Sequence, residues 1–278
     1  MIVQKIDLYK HFSLPRPYGN GGYLDIYVHD NKEYAYNNLR PAMLVIPGGG
    51  YEWVSLREKE PIVFEYLTEG FNCFALTYSI NEQSKYPNPL LEAVMAMLYI
   101  KQTAEQYHTN PEKVCGIGFS AGGHLLGLLV TAYANKEIRE IFGEECLHAK
   151  LNGAIFSYPV ILTENTHAGS IQNITGGDKN LLSVVDISKN INKDSTPAFI
   201  WTTVDDELVP SESSLELALA YKRAGVPFEL HMFKEGEHGL STAKEEVETI
   251  NPAVQPWIRL SHTWLKLMGF VTKKFNQK

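Results

Sequence analysis

Short apolar segments alternate with longer amphipathic segments along most of this chain. Between residues 88 and 107, for example, Leu91, Val94 and Leu98 recur at the spacing of one helix face. Strand-length apolar segments that alternate with helices are typical of a mostly parallel sheet covered by helices on both faces. Such strands are predicted at 41–46, 71–78, 113–117, 151–157, 197–204 and 227–233. Helices are predicted at 60–69, 88–107, 125–130, 211–224 and 253–267.

Two segments near the N-terminus, 2–9 and 23–29, alternate between apolar and polar residues. Leu24 and Ile26 would share one face of a strand, which predicts an antiparallel pair at the edge of the sheet. The Gly-Asn-Gly-Gly sequence at 19–22 would form the turn between these strands.

The segment 159–196 departs from this alternation, because it is polar and too long for an ordinary connection. We expect it to form an insertion over the C-terminal edge of the sheet, where α/β proteins bind their ligands. No internal repeat or low-complexity linker interrupts the rest of the pattern. The prediction is therefore one α/β domain over residues 1–278.

Composition narrows the classes of protein that fit this pattern. Apolar residues make up 44% of the chain, enough for a large core, and a net charge of −7 without a basic stripe argues against a nucleic-acid partner. The apolar runs are far shorter than a membrane span, and the first residues do not resemble a signal peptide. The three cysteines lack metal-ligand spacing, and Cys73 and Cys115 lie in strand-like runs as small core residues. We expect a reduced, cytoplasmic protein without a metal site or membrane partner, whose oligomeric state the sequence leaves open.

The Gly-x-Ser-x-Gly sequence at 118–122 is the first candidate for chemistry. It lies between a predicted strand and a predicted helix, and the glycines on either side of Ser120 leave room for a sharp, strained turn. Such a turn exposes the serine hydroxyl above a helix N-terminus, which favours developing negative charge. A chance Gly/Ser-rich turn is the alternative interpretation, and the flanking strand and helix argue against it.

A serine hydroxyl is a weak nucleophile and needs a base that a third group orients. Asp206 and His238 each follow a later predicted strand, so both would lie at the same sheet edge as Ser120. We predict Ser120 as nucleophile, His238 as general base and acid, and Asp206 as the group that fixes the imidazole. Asp205 is the rival for the last role, and the Asp-x-x-Val-Pro spacing favours Asp206.

Acyl transfer also needs hydrogen-bond donors for an oxyanion. The glycines at 48–50 end a predicted strand, and glycine there lets backbone N–H groups approach a substrate oxygen. We predict the N–H groups of Gly49, Gly50 and Ala121 as the donors. A phosphate-binding loop is the alternative, but no Gly-Lys-Ser/Thr follows.

Three residues are predicted to contact the substrate. Tyr51 and Trp53 follow the glycine loop and would add bulk beside the acyl group, and His167 in the insertion would line the pocket unless it is a solvated loop residue. The other two histidines in predicted elements have structural interpretations. His124 would pack or form hydrogen bonds within the serine helix, and His231 lies inside the last predicted strand.

Taken together, these motifs resemble the α/β-hydrolase superfamily, and within it the small bacterial acetyl esterases related to acetylxylan esterases. The resemblance implies short-acyl ester substrates, often acetyl groups on sugars, and no cofactor. One departure is Pro47, where many such proteins carry a histidine that supports the glycine loop. The resemblance covers nearly the whole chain, at 47–51, 57–58, 60–61, 86–90, 118–124, 157–160, 201, 206–210 and 237–239.

Three classes of function fit this sequence. The leading hypothesis is a serine carboxylesterase for short-chain, acetyl-type esters, because the polar insertion suits a small polar alcohol better than a long acyl chain. The second is amide hydrolysis by an amidase, formamidase or peptidase on the same fold, although such peptidases usually carry a large extra domain. The third is a catalytically silent binding protein, although such proteins usually lack one of the three residues.

Overall fold

The computed structural model describes residues 1–17, 19–30 and 39–270. Within these ranges, eight strands form one sheet in the order β1-β2-β4-β3-β5-β6-β7-β8. Strand β2 runs antiparallel to both of its neighbours, and all other neighbours are parallel. The strands are β1 Ile2–Asp7, β2 Tyr23–Val28, β3 Arg40–Ile46, β4 Asn72–Thr77, β5 Thr109–Phe119, β6 Gly153–Ser157, β7 Ala198–Thr203 and β8 Phe228–Phe233. The predicted mostly parallel sheet with an antiparallel pair at its edge is confirmed.

Helices cover both faces of the sheet. Neighbouring residues of one strand point to opposite faces of the sheet. In β3, Leu44 belongs to the same hydrophobic cluster as Leu125, whereas Val45 belongs to a second cluster with Ile62 and Trp257. Burial on both faces explains why the strands read as continuous apolar runs. The helices are α1 Leu8–His11, α2 Glu60–Thr68, α3 Asn88–Gln102, α4 Ala121–Ala132, α5 Lys136–Phe142, α6 Ala168–Thr175, α7 Leu182–Val185, α8 Ile187–Asn190, α9 Glu212–Ala224 and α10 Pro256–Leu267.

The structure corrects the predicted connection between β1 and β2. The chain leaves β1 at Asp7, whose side chain accepts a hydrogen bond from the backbone N–H of Lys10 and so caps α1. Leu8 and Tyr9, which we expected in the strand, lie in this short helix and are buried in the core. The glycine-rich segment at 19–22 is therefore the end of a longer loop and not a two-strand turn.

The predicted insertion contains a helix that composition alone did not indicate. Helix α6 begins at His167, whose ring accepts a hydrogen bond from the N–H of Ser170, and it ends at Gly176 in the left-handed conformation. Its apolar side chains, Ile171 and Ile174, are buried. Among the described residues, no helix is both long and apolar enough to cross a membrane.

A buried carboxyl group joins the antiparallel edge to the helical layer. Glu92 of α3 has no exposed surface and accepts hydrogen bonds from the hydroxyl of Tyr9 and from both the hydroxyl and the N–H of Ser79. Burial disfavours the charged form, and it raises the pKa of Glu92 to about 7 even though these hydrogen bonds oppose the shift.

We expect the stability of the protein to depend on this group. Because the pKa of Glu92 is higher in the folded chain than its ordinary 4.5, its stabilising contribution is complete below that pH and is lost as the pH rises through about 7. Glu92→Gln removes the titration. Between about pH 5 and pH 8, the free energy of unfolding of the wild type should therefore fall by ~2 kcal/mol relative to that of the variant. Chemical denaturation of both proteins at each pH measures this change. A difference that is constant over this range would contradict the prediction.

Candidate active site

Ser120 occupies a strained turn between β5 and α4. Its φ of 51° and ψ of −120° lie outside the regions that residues with a side chain ordinarily adopt. The flanking glycines are required by close approach of the backbone: a Cβ on Gly118 would lie 2.4 Å from the carbonyl oxygen of Gly122, and one on Gly122 would lie 2.2 Å from the carbonyl oxygen of Ile46. The Gly-x-Ser-x-Gly spacing therefore has a steric cause.

The structure brings together the three residues predicted as nucleophile, base and orienting acid. Nε2 of His238 lies 2.8 Å from Oγ of Ser120, and Nδ1 lies 2.7 Å from Oδ2 of Asp206. A carboxylate can only accept, so Nδ1 donates to Asp206 and Nε2 is left to accept the serine proton. The carboxylate of Asp206 is itself held by the N–H groups of Leu208 and Val209.

Asp205 has a different contact. Its carboxylate accepts a hydrogen bond from the backbone N–H of Gly236 at 2.6 Å, at the start of the loop that carries His238. The structure thus places Asp206, and not Asp205, beside the imidazole. Among the described residues, the hydrogen bond of the Asp205 carboxylate is to the backbone of the histidine loop.

The glycine loop after β3 lies beside Ser120. Gly49 and Gly50 have φ values of 123° and 65°, and within the described residues their N–H groups make no hydrogen bond. Ala121 is the first residue of α4, where helix N–H groups have no partner within the helix. These are the donors predicted for an oxyanion. Gly49 and Gly50 line a cavity of about 260 Å³ together with Ser120 and His238.

Two of the three predicted substrate contacts line this cavity. Trp53 is 57% exposed at its edge, and His167 forms part of its wall. Because Nδ1 of His167 accepts from the N–H of Ser170 at the start of α6, the neutral ring carries its hydrogen on Nε2.

The structure places Tyr51 outside the cavity that we expected it to line. A φ of 63° turns the residue inward, and its side chain is fully buried. Its hydroxyl lies 2.8 Å from Nδ1 of His124, while Nε2 of His124 donates to the carbonyl oxygen of Val185 at 2.7 Å. Burial lowers the pKa of His124 to about 4, so the ring stays neutral and joins the glycine loop to the end of α7. His231 lies in β8, with Nε2 2.6 Å from Glu229.

Several residues of the cavity wall were not predicted from the sequence. Arg57 and Glu58 belong to a short 3-10 turn, Leu56–Glu58, and appeared only among the residues of the family resemblance. The pattern of apolar and polar residues does not predict that their side chains line a cavity, because a turn of three residues is too short to show a periodic buried face. In the described part of the chain, no three His, Cys, Asp or Glu side chains lie together in a way that could hold a metal ion.

Known proteins resemble this chain in sequence and in fold. Residues 24–221 match the family described as BD-FAE. The chain is 34% identical to endo-1,4-beta-xylanase B of Butyrivibrio fibrisolvens over 77% of its own length, and 27% identical to an acetylxylan esterase of Xylanibacter ruminicola over 71%. It spans only 35% and 40% of the lengths of these two proteins.

Solved structures extend the similarity to the whole fold. The acetyl ester-xyloside bifunctional hydrolase of Caldicellulosiruptor lactoaceticus has a TM-score of 0.84 and 31% sequence identity, and the match covers 97% of each chain. With the sheet order described above, this similarity confirms the α/β-hydrolase fold.

The geometry generates a prediction about the two neighbouring aspartates. Asp206→Asn should slow the labelling of Ser120 by a fluorophosphonate by about ten-thousandfold, because an amide at this position favours the wrong imidazole tautomer. Asp205→Asn is the matched control, and it should change the labelling rate by less than about tenfold, since the Asp205 carboxylate accepts a hydrogen bond from the backbone of Gly236 and not from the imidazole. Rates are measured by time-resolved mass spectrometry. The opposite order of effects would reassign the acid to Asp205.

Proposed function

The chain belongs to the BD-FAE family, and on this premise we propose that it is a serine carboxylesterase that hydrolyses short-chain, acetyl-type esters, including those of acetylated carbohydrates. The observation that carries the proposal is the chain of hydrogen bonds from Ser120 through His238 to Asp206, beside N–H groups of Gly49 and Gly50 that make no hydrogen bond among the described residues. This combination supplies a nucleophile, a base and oxyanion donors in one cavity.

The first half of the proposed reaction forms an acyl-enzyme. Oγ of Ser120 attacks the ester carbonyl carbon while Nε2 of His238 takes the hydroxyl proton. The carbonyl oxygen becomes an oxyanion that accepts hydrogen bonds from the N–H groups of Gly49, Gly50 and Ala121. The C–O bond to the alcohol then breaks, and the alcohol leaves with the proton from Nε2. Asp206 remains ionised throughout and stabilises the imidazolium.

The second half returns the serine to its starting state. Water attacks the acyl carbon and gives a proton to Nε2 of His238, which forms a second oxyanion at the same donors. This intermediate collapses with cleavage of the bond to Oγ of Ser120. The proton on Nε2 passes to Oγ, and the carboxylic acid is released. No redox step or cofactor is needed for this balance.

The size and the lining of the cavity favour an ester with a small acyl group and a polar alcohol. Its volume is about 260 Å³, and its wall includes Arg57, Glu58 and His167. The apolar side chains of α6 are already buried: Ile171 packs with Val160 and Val209. Neither isoleucine of α6 is therefore available to meet a lipid surface. The names of the relatives, which refer to xylan and to acetyl esters, support an acetylated carbohydrate.

Replacement of the nucleophile is the direct test of the reaction. Ser120→Ala should reduce the turnover of an acetyl ester by about a millionfold, because the serine and its base act as a unit. The variant should also take up no fluorophosphonate. Near-wild-type turnover in a folded variant, as judged by circular dichroism, would remove the proposal. Hydrolysis of acetamides or formamides at a higher kcat/KM than the matching esters would favour the amidase alternative.

The acyl preference follows from the size of the cavity. We expect kcat/KM to be highest for p-nitrophenyl acetate and propionate and to fall by at least about tenfold at the octanoate, because each added methylene must be accommodated at a cost of about 1 kcal/mol or more. Acetylated xylo-oligosaccharides should release acetate, measured by a coupled assay. Activity that increases with chain length, or that rises at an oil–water interface, would indicate a lipase instead.

A further inference from the structure

Glu58 is a buried carboxylate in the wall of the cavity that the proposed reaction does not use. It is only 3% exposed and lies in the 3-10 turn Leu56–Glu58. A buried carboxylate is costly unless its oxygens accept hydrogen bonds. Both oxygens do so: Oε2 accepts from the backbone N–H of Gly48 at 2.8 Å, and Oε1 accepts from the hydroxyl of Tyr158 at 2.6 Å.

The first of these contacts fixes the start of the glycine loop. Gly48 directly precedes the two predicted glycine donors, and a Cβ placed on it would lie 2.8 Å from Oε2 of Glu58 and 3.0 Å from Cβ of Ser120. The loop, the carboxylate and the nucleophile are therefore packed against one another. Position 47 is a proline without an N–H, and Glu58 supplies an anchor one residue later.

The second contact reaches the histidine loop. The hydroxyl of Tyr158 donates to Glu58 and accepts from the backbone N–H of Ser241, three residues after His238. The ring of Tyr158 lies edge-on to the imidazole of His238, with centroids 5.1 Å apart and an interplanar angle of 72°. The carboxylate thus acts on the base through Tyr158.

Arg57, which precedes Glu58 in the chain, also holds the histidine loop. Its guanidinium donates to the carbonyl oxygens of Gly239 at 3.1 Å and Val247 at 3.3 Å, while the carbonyl oxygen of Arg57 accepts from the hydroxyl of Ser241. The turn Leu56–Glu58 therefore contacts the glycine loop on one side and the histidine loop on the other.

We propose that Glu58 is a positioning residue that holds the oxyanion donors and the general base in one arrangement around Ser120. The inference rests on the proposed function, since it assigns to Glu58 the alignment of that same site. Hydrogen bonds to an ionised acceptor are stronger than neutral ones, so a single charge can fix two loops. A displacement of the reacting groups by about 1 Å can lower a rate by on the order of a hundredfold, which sets the expected scale.

The test compares Glu58→Gln with wild type in turnover and in binding of a transition-state mimic. The glutamine has the same shape without the charge, and it should lower kcat for p-nitrophenyl acetate by about thirtyfold while KM changes by less than about twofold. The affinity for a short alkylboronic acid, which forms a tetrahedral adduct with the serine, should fall by the same factor. Binding is followed by tryptophan fluorescence, because Trp53 lines the cavity.

Tyr158→Phe is a second variant that keeps the ring against His238 and removes only the hydroxyl. It should lower kcat and boronate affinity together by about tenfold, and it keeps the test decisive if Glu58→Gln does not fold. Glu92→Gln is the matched control, a buried glutamate outside the cavity whose loss should change neither quantity.

The outcomes separate the two proposals. Unchanged kcat and boronate affinity in both site variants would overturn the positioning role, and so would a parallel loss in the Glu92→Gln control. A wild-type protein that turns over no ester but binds the boronate would remove the esterase proposal, and the variants' boronate affinities would then still decide the role of Glu58. A wild-type protein that binds no boronate would overturn the positioning role of Glu58 in addition to the esterase proposal.

Discussion

The strained backbone at Ser120 is the constraint on which the rest of the site depends. A side-chain-bearing residue at positive φ costs on the order of 1–3 kcal/mol and persists only where its surroundings fix it. Here the N–H of Ser120 donates to the carbonyl oxygen of Ser157, and the carbonyl oxygen of Ser120 accepts from Val160. Both partners lie at or just beyond the end of β6, so the neighbouring strand helps to hold the turn.

Parallel strand order converts this local turn into a site. The glycine loop, Ser120, Asp206 and His238 follow β3, β5, β7 and β8, and the C-terminal ends of parallel strands meet at one edge. Ser120 and His238 are 118 residues apart in the chain and yet lie within hydrogen-bond distance. The alignment is therefore prepared by the sheet before any ligand arrives, as electrostatic stabilisation of an oxyanion requires.

The parts of this picture that the sequence predicted are those with a periodic or steric signature. Strands buried on both faces are mostly apolar, and Gly118 and Gly122 are required by backbone contacts. Tyr51 and Glu58 carry no such signature. The inward direction of Tyr51 follows from a positive φ that its neighbours impose, and Glu58 lies in the charged run Arg-Glu-Lys-Glu at 57–60, which by itself indicates a solvated surface. Only the approach of distant residues buries that carboxylate.

The glycine loop shows how a flexible segment acquires a fixed form. Glycine lowers the steric barrier to the required conformation, but it leaves a loop with no side chains to anchor it. Side chains from other parts of the chain hold the loop. The hydroxyl of Tyr78 donates to the carbonyl oxygen of Pro47 at 2.8 Å, and the side-chain amide of Asn173 in α6 donates to the carbonyl oxygen of Gly50 at 2.9 Å. With Glu58 on Gly48, side chains from three parts of the chain hold consecutive parts of the loop. The form of the glycine loop is therefore a property of tertiary polar contacts, and the insertion that carries α6 supports this loop as well as forming part of the cavity wall.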